Sequence, residues 1–125
     1  MYSYLIVFLG AGLGGAMRHG VNTTALRLLG ANFPFGTLTV NVVGSLIMGF
    51  LAGYFAFKGD ASQHWRLFMT TGVLGGFTTF SAFSLDAALL WEKGDVLVSI
   101  AYMFGSVLLS VGGLFLGMWL IKMIG

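Results

Sequence analysis

Charge is absent from four long stretches of this chain, residues 1–17, 28–57, 67–85 and 96–121. Nothing constrains its fold more. An apolar run of about 20 residues crosses a bilayer as a helix, because hydrocarbon offers no partner for unpaired backbone groups. Composition agrees: 8% of residues are charged, where a soluble domain carries about 25%. Glycine, at 20 residues, is too frequent for soluble helices but suits membrane helices that pack closely. The expectation is an all-α membrane protein, a single domain over 1–125, with spans near 3–26, 36–57, 65–91 and 96–122.

The first stretch reads as a retained span. Met1 to Met17 has no basic n-region, and no clear small-residue cleavage site follows. Asn32-Phe33-Pro34 turns the chain into the second span, with proline near its first turn. Lys58-Gly59-Asp60-Ala61-Ser62 reads as a short polar loop, and Glu92-Lys93-Gly94-Asp95 as the last turn. Four spans put both termini on one side. Lys58, Arg66 and Lys122 then face Arg18, Arg27 and Lys93, 3 basic residues on each side. The positive-inside rule has nothing to act on. Either other signals orient the chain, or copies insert both ways and pair antiparallel.

The third stretch is the least regular. Leu67 to Leu85 contains three glycines and six hydroxyl side chains, Thr70, Thr71, Thr78, Thr79, Ser81 and Ser84. Such a segment is expected to break at about 75–79, and unwound backbone survives at membrane depth only inside protein or beside a watery cavity. Freed carbonyls there could hold a small hard cation. Phe80 and Phe83 follow, three apart on one face of the resumed helix. Phenylalanines at that spacing serve packing more often than function.

Polar residues also line up elsewhere. Thr37, Asn41 and Ser45 recur every fourth residue in the second span, and Tyr102, Ser106 and Ser110 do so in the fourth. Each set shares a face. Hydroxyls in membrane helices commonly bond between helices, whereas the amide of Asn41 is costlier to bury and points to function. Gly113 and Gly117 are expected on the side opposite the fourth-span stripe, as a close-packing pair like Gly10/Gly14, Gly49/Gly53 and Gly72/Gly76. Arg18, late in the first span, fits a snorkelling side chain or a vestibule. Asp86 is the one acid inside a span and so a function candidate, but it lies six residues from Glu92, and an interfacial or vestibule position fits it equally. The chain has no cysteine, His19 and His64 stand alone, and no nucleophile–base pair, phosphate loop or cofactor motif appears. No enzyme is indicated.

Gly36-Thr37-Leu38-Thr39-Val40-Asn41 and Thr70-Thr71-Gly72-Val73-Leu74-Gly75-Gly76-Phe77-Thr78-Thr79-Phe80-Ser81-Ala82-Phe83-Ser84 resemble the signature of the small fluoride channels called Fluc or CrcB. The resemblance covers essentially the whole chain. Ala82 departs from it, where the family often has threonine. What the resemblance implies is a fluoride-selective channel giving passive export and so relieving fluoride toxicity. It implies an antiparallel dual-topology homodimer with two pores, and the helical spans suggest a bacterial inner membrane. By the same resemblance Phe80 and Phe83 are paired pore phenylalanines, Asn41 contacts permeating fluoride, and Ser106 and Ser110 form a polar track. Thr37 joins the pore, Tyr102 stands at its end, and Arg18 lies near an aqueous vestibule. The Gly75 and Thr78 carbonyls of both subunits would hold a central structural Na⁺.

Two other classes fit a chain of this size. A dual-topology drug antiporter needs an acid at mid-membrane, and the first span has none. A non-transporting subunit of a larger membrane complex would give no flux alone. For the antiparallel reading, the cysteine-free background allows a direct check. Single cysteines in the 58–62 loop should react with an impermeant reagent from both sides of the native membrane; labelling from one side alone would exclude dual topology.

Overall fold

The computed structural model describes residues 2–57 and 62–124. Residues 58–61, most of the expected polar loop, lie outside them. Helix α1 is Tyr2–Leu29 and α2 is Phe35–Phe57. The third span is assembled from α3 (Gln63–Leu67), a π-helical segment π1 (Phe68–Leu74), α4 (Gly75–Phe77) and α5 (Phe80–Glu92). Helix α6 is Val96–Ile124. Four spans long and apolar enough to cross a membrane result, and the protein is a multi-pass membrane protein. The helices run a few residues beyond the sequence estimates.

Local chemistry sets the ends. Gly30 (φ +82°) takes the left-handed conformation that closes α1, and its N–H donates to the Leu26 carbonyl at 3.0 Å. Pro34 lies outside α2, and its carbonyl accepts from the Leu38 N–H. Ser62 caps α3 by accepting from the Trp65 N–H at 3.2 Å.

The interruption in the third span is narrower than the sequence suggests, and it is not at the glycines. Gly75 and Gly76 are helical. Thr78 (ψ 159°) and Thr79 (φ −152°, ψ 124°) are the residues that leave the helix. Thr79 then caps α5, its hydroxyl accepting from the Ala82 N–H at 3.1 Å. Threonine is suited to this position, since its β-branch tolerates extended backbone and its oxygen replaces a lost helical acceptor.

The interruption lets the span change partners. π1 and α4 pack on α1, whereas α5 packs on α6; α2 packs on both α1 and α6. Two clusters follow, one on each side of the break. Leu74 and Phe77 meet Val40, while Phe83, Ala87 and Leu90 meet Tyr102. Elsewhere large apolar side chains such as Phe8, Phe104, Leu108 and Phe115 face outward, as lipid or a partner subunit requires.

Small residues set the distance between α1 and the third span. A Cβ on Gly14 would collide with the Val73 carbonyl, and one on Gly10 would lie 2.9 Å from the Gly72 Cα. Gly117 of α6 is buried against Leu46 and Phe50 of α2. This corrects the expected side of Gly113 and Gly117: seven residues is two helical turns, so Ser106 and Gly113 share a face.

Gly14→Ala should therefore cost about 1–3 kcal/mol through overpacking. Gly20→Ala, where an added Cβ meets nothing within 4 Å, should be neutral or stabilising by up to about 1 kcal/mol. Thermal unfolding of the purified protein in detergent checks both. Equal losses would mean that close approach is not what Gly14 provides.

Candidate functional site

The break forms around one side chain of the neighbouring helix. Asn41 Oδ1 accepts from the Thr79 N–H at 2.8 Å, and its Nδ2 donates to the Thr79 carbonyl at 3.0 Å. The amide pairs with an extended residue as a second strand would. Both backbone groups of Thr79 are thereby satisfied at membrane depth, where an orphan would be costly. Arg18 does similar work two residues before the break, its Nε donating to the Gly76 carbonyl at 3.0 Å.

This rerouting changes which carbonyls are in use. In a continuous helix the Thr79 N–H would serve the Gly75 carbonyl, and the Ala82 N–H that of Thr78. Here the first goes to Asn41 and the second to the Thr79 hydroxyl. The Gly75 and Thr78 carbonyls, which the family resemblance implies as cation ligands, are thus two whose helical donors are diverted. Carbonyl oxygens suit a small hard cation. Among the described residues no group of three His, Asp or Glu side chains offers an alternative.

Beside the break a groove of about 270 Å³ is lined by Asn41 and Ser45 of α2, Thr78, Thr79, Phe80 and Phe83, and Ser106 and Ser110 of α6. Val107 and Val111 complete the lining, and no charged side chain is among the lining residues. Five sequence candidates thus meet there: Asn41, Phe80, Phe83, Ser106 and Ser110. The two phenylalanine rings are 5.6 Å apart, centroid to centroid. Phe83 is 9% exposed and belongs to the core, whereas Phe80 is 77% exposed and projects from the chain's surface. Ser106 Oγ is buried without a hydrogen-bond partner among the described residues. An orphan hydroxyl costs about 1–3 kcal/mol, and this one lies in the wall of the groove.

Thr37 and Tyr102 are placed elsewhere. Thr37 lines a second cavity, of about 510 Å³, with Asn22, Asn32, Ala82, Asp86 and Lys93. Tyr102 is 2% exposed. Its hydroxyl donates to Asp86 Oδ2 at 3.4 Å, and its ring contacts Phe83 with centroids 5.2 Å apart. Phe83 lines the groove, and Tyr102, in contact with it, bonds to Asp86 of the cavity. Asp86, unassigned from sequence, is thereby a cavity residue. Arg18 lines neither space. Ser99 of α6 went unnoticed in sequence because it falls outside the four-residue stripe, yet its hydroxyl crosses to the Ala87 carbonyl at 2.7 Å.

With this geometry in view, comparison with known proteins is decisive. Residues 5–118 match the family described as CrcB-like protein, Camphor Resistance (CrcB). The chain belongs to the CrcB family. Among CrcB relatives, a protein of Rhodopseudomonas palustris (strain BisB5) named fluoride-specific ion channel FluC is 60% identical over 122 residues, covering 98% of each chain. One with the same name from Granulibacter bethesdensis (strain ATCC BAA-1260 / CGDNIH1) is 56% identical over 98% of this chain and 96% of its own. Another from Methylobacterium nodulans (strain LMG 21967 / CNCM I-2342 / ORS 2060) is 53% identical over the full length of both.

The Asn41 clamp yields a stability test within this CrcB chain. Asn41→Ala strands the N–H and carbonyl of Thr79, and should cost about 2–4 kcal/mol. Ser45→Ala, on the same face and with no hydrogen bond to the break, should stay within about 1 kcal/mol. Chemical or thermal unfolding in detergent reads the difference. An Asn41→Ala protein as stable as its parent would remove the clamp from the account of the break.

Proposed function

We propose that this chain is a fluoride-selective channel that exports fluoride passively from a bacterial cell across its inner membrane, and so relieves fluoride toxicity. The observation that carries the reading is the uncharged groove in which amide, hydroxyl and aromatic groups from three spans converge on the break. Membership of a family whose relatives are named fluoride-specific ion channels supports it. No chemical conversion is involved, and the protein is not an enzyme in this reading.

Fluoride is small and strongly hydrated, so a pore must replace its water with directed donors. Hydroxyls of Ser106 and Ser110, the remaining N–H of Asn41 and the positive ring edges of Phe80 and Phe83 are such donors. None carries a fixed charge that would hold the ion too long to let it leave. Thr37 and Tyr102 continue the route toward the second cavity, and Arg18 attracts anions at the other approach.

The functional unit in this proposal is an antiparallel homodimer. Balanced basic residues and the outward Phe80 support it, since the groove of one subunit is open on the side that a second copy would close. Two copies give two pores. A Na⁺ on the axis would be held by the Gly75 and Thr78 carbonyls of both subunits, and it would neutralise carbonyl dipoles that the break turns away from helical donors.

The test is fluoride efflux from liposomes containing only this protein, followed with a fluoride electrode. Fluoride should leave rapidly and chloride should be strongly rejected. Comparable efflux of both ions would overturn the selectivity, and a strict need for a proton gradient would shift the reading toward an antiporter using Asp86. Phe80→Ile and Phe83→Ile keep most of the bulk, at under about 1.5 kcal/mol. Each should slow fluoride at least about tenfold, which needs only about 1.4 kcal/mol on the barrier. Phe77 packs with Val40 and Leu74 and lines neither space, so Phe77→Ile should lower stability and spare selectivity.

A further inference from the structure

Hydroxyls in this protein mostly bond within their own helix. Thr23, Thr70, Thr78 and Ser84 each donate to the carbonyl four residues earlier, as intramembrane serine and threonine usually do. Ser99 does not. It lies in the first turn of α6, 0% exposed, and its hydroxyl donates across to the Ala87 carbonyl of α5 at 2.7 Å. Its own N–H donates to the Asp95 carbonyl at 2.9 Å, and the Asp95 N–H reaches back to the Leu90 carbonyl at 3.0 Å. The turn between α5 and α6 is thereby closed at one end by backbone and fastened one helical turn further in by a side chain.

That position matters because of what lies deeper along the same pair of helices. One turn inward from the clamp, Phe83 of α5 meets Tyr102 of α6. Another turn inward, Phe80 and Ser106 line the same groove. Every such pairing depends on the register of α5 against α6. Hydrocarbon gives no hydrophobic force to hold two apolar helices in one register, so packing and interhelical hydrogen bonds must do it. α5 is also the span segment that begins at a break, and no continuous helix anchors its N-terminal end. Ser99 lines neither the groove nor the cavity, so it acts through other residues.

We infer that Ser99 is a positioning residue: its hydroxyl clamp on the Ala87 carbonyl fixes the register of α5 on α6 and so sets Phe80 and Phe83 opposite the hydroxyls of α6. The inference rests on the fluoride-channel reading for its functional consequence but not for the clamp itself. Losing the clamp lets α5 sample neighbouring registers, each residue of slip moving the rings by about 1.5 Å.

Two readouts test it, on Ser99→Ala in the full-length protein. Fluoride efflux should fall about fivefold to tenfold, the worth of one buried hydrogen bond, and the fluoride-to-chloride ratio should fall with it. Amide hydrogen exchange across residues 83–91 should rise, while that of α1 and α2 stays as in the parent. A purely structural serine would change stability and leave the ratio alone. Ser99→Cys, with similar bulk and only a weak donor, should fall between parent and alanine variant. Parental efflux, ratio and exchange in Ser99→Ala would overturn the proposal. If Ser99→Ala does not purify, a Ser99→Cys protein indistinguishable from the parent would also overturn it, because filling the space would then suffice. A parent that passes no fluoride would sink the channel reading, and the exchange measurement would still decide the clamp.

Discussion

Backbone satisfaction in hydrocarbon is the constraint on which this structure depends. A helix that stops at mid-membrane exposes donors and acceptors that no lipid can serve. The chain meets that demand at Thr78–Thr79 with three side chains: the amide of Asn41, the hydroxyl of Thr79 and the guanidinium of Arg18. Each reaches a backbone group that a continuous helix would have used internally. Without them the third span could not move from α1 to α6, and Phe80 and Phe83 would not stand beside Ser106.

The same economy explains how a groove in a bilayer can be polar without being charged. Fixed charges in hydrocarbon demand partners or water. Amides and hydroxyls cost less to bury, and several of those here are already bonded locally. Ser106 Oγ, one of two buried side-chain polar atoms without a partner among the described residues, lies where a small anion would pass in the proposed pathway. Phe83 of the groove touches Tyr102, whose hydroxyl bonds to Asp86 of the second cavity, so the one carboxylate near the route lines the cavity and not the uncharged groove.

Helix packing serves this arrangement through small residues. Gly10 and Gly14 bring α1 against the backbone of π1 and α4, and Gly117 does the same for α6 on α2. Close backbone contact offsets the missing hydrophobic force between helices in lipid. It leaves α5 with fewer such contacts than its neighbours, so the hydroxyls of Ser99 and Tyr102 that cross to it from α6 weigh more in its register.

The sequence alone determined much of this protein. Charge-free runs marked four spans, because a bilayer excludes charge and fixes span length. The signature around Gly72 to Ser84 gave the family, which the match over residues 5–118 bears out. Stripes at helical spacing named Asn41, Ser45, Ser106 and Ser110, which meet in the groove, and also Thr37 and Tyr102, which do not line it. Tertiary structure alone decided which hydroxyls stay local and which cross between helices, since Ser99 and Ser84 look alike in sequence and differ only in what lies opposite. It also narrowed the interruption from 75–79 to two threonines. Glycine signalled flexibility, but Gly76 is used for close contact with Ala11, and the extended residues are those whose backbone Asn41 can reach. A side chain 38 residues away leaves no periodic trace in the segment that it breaks.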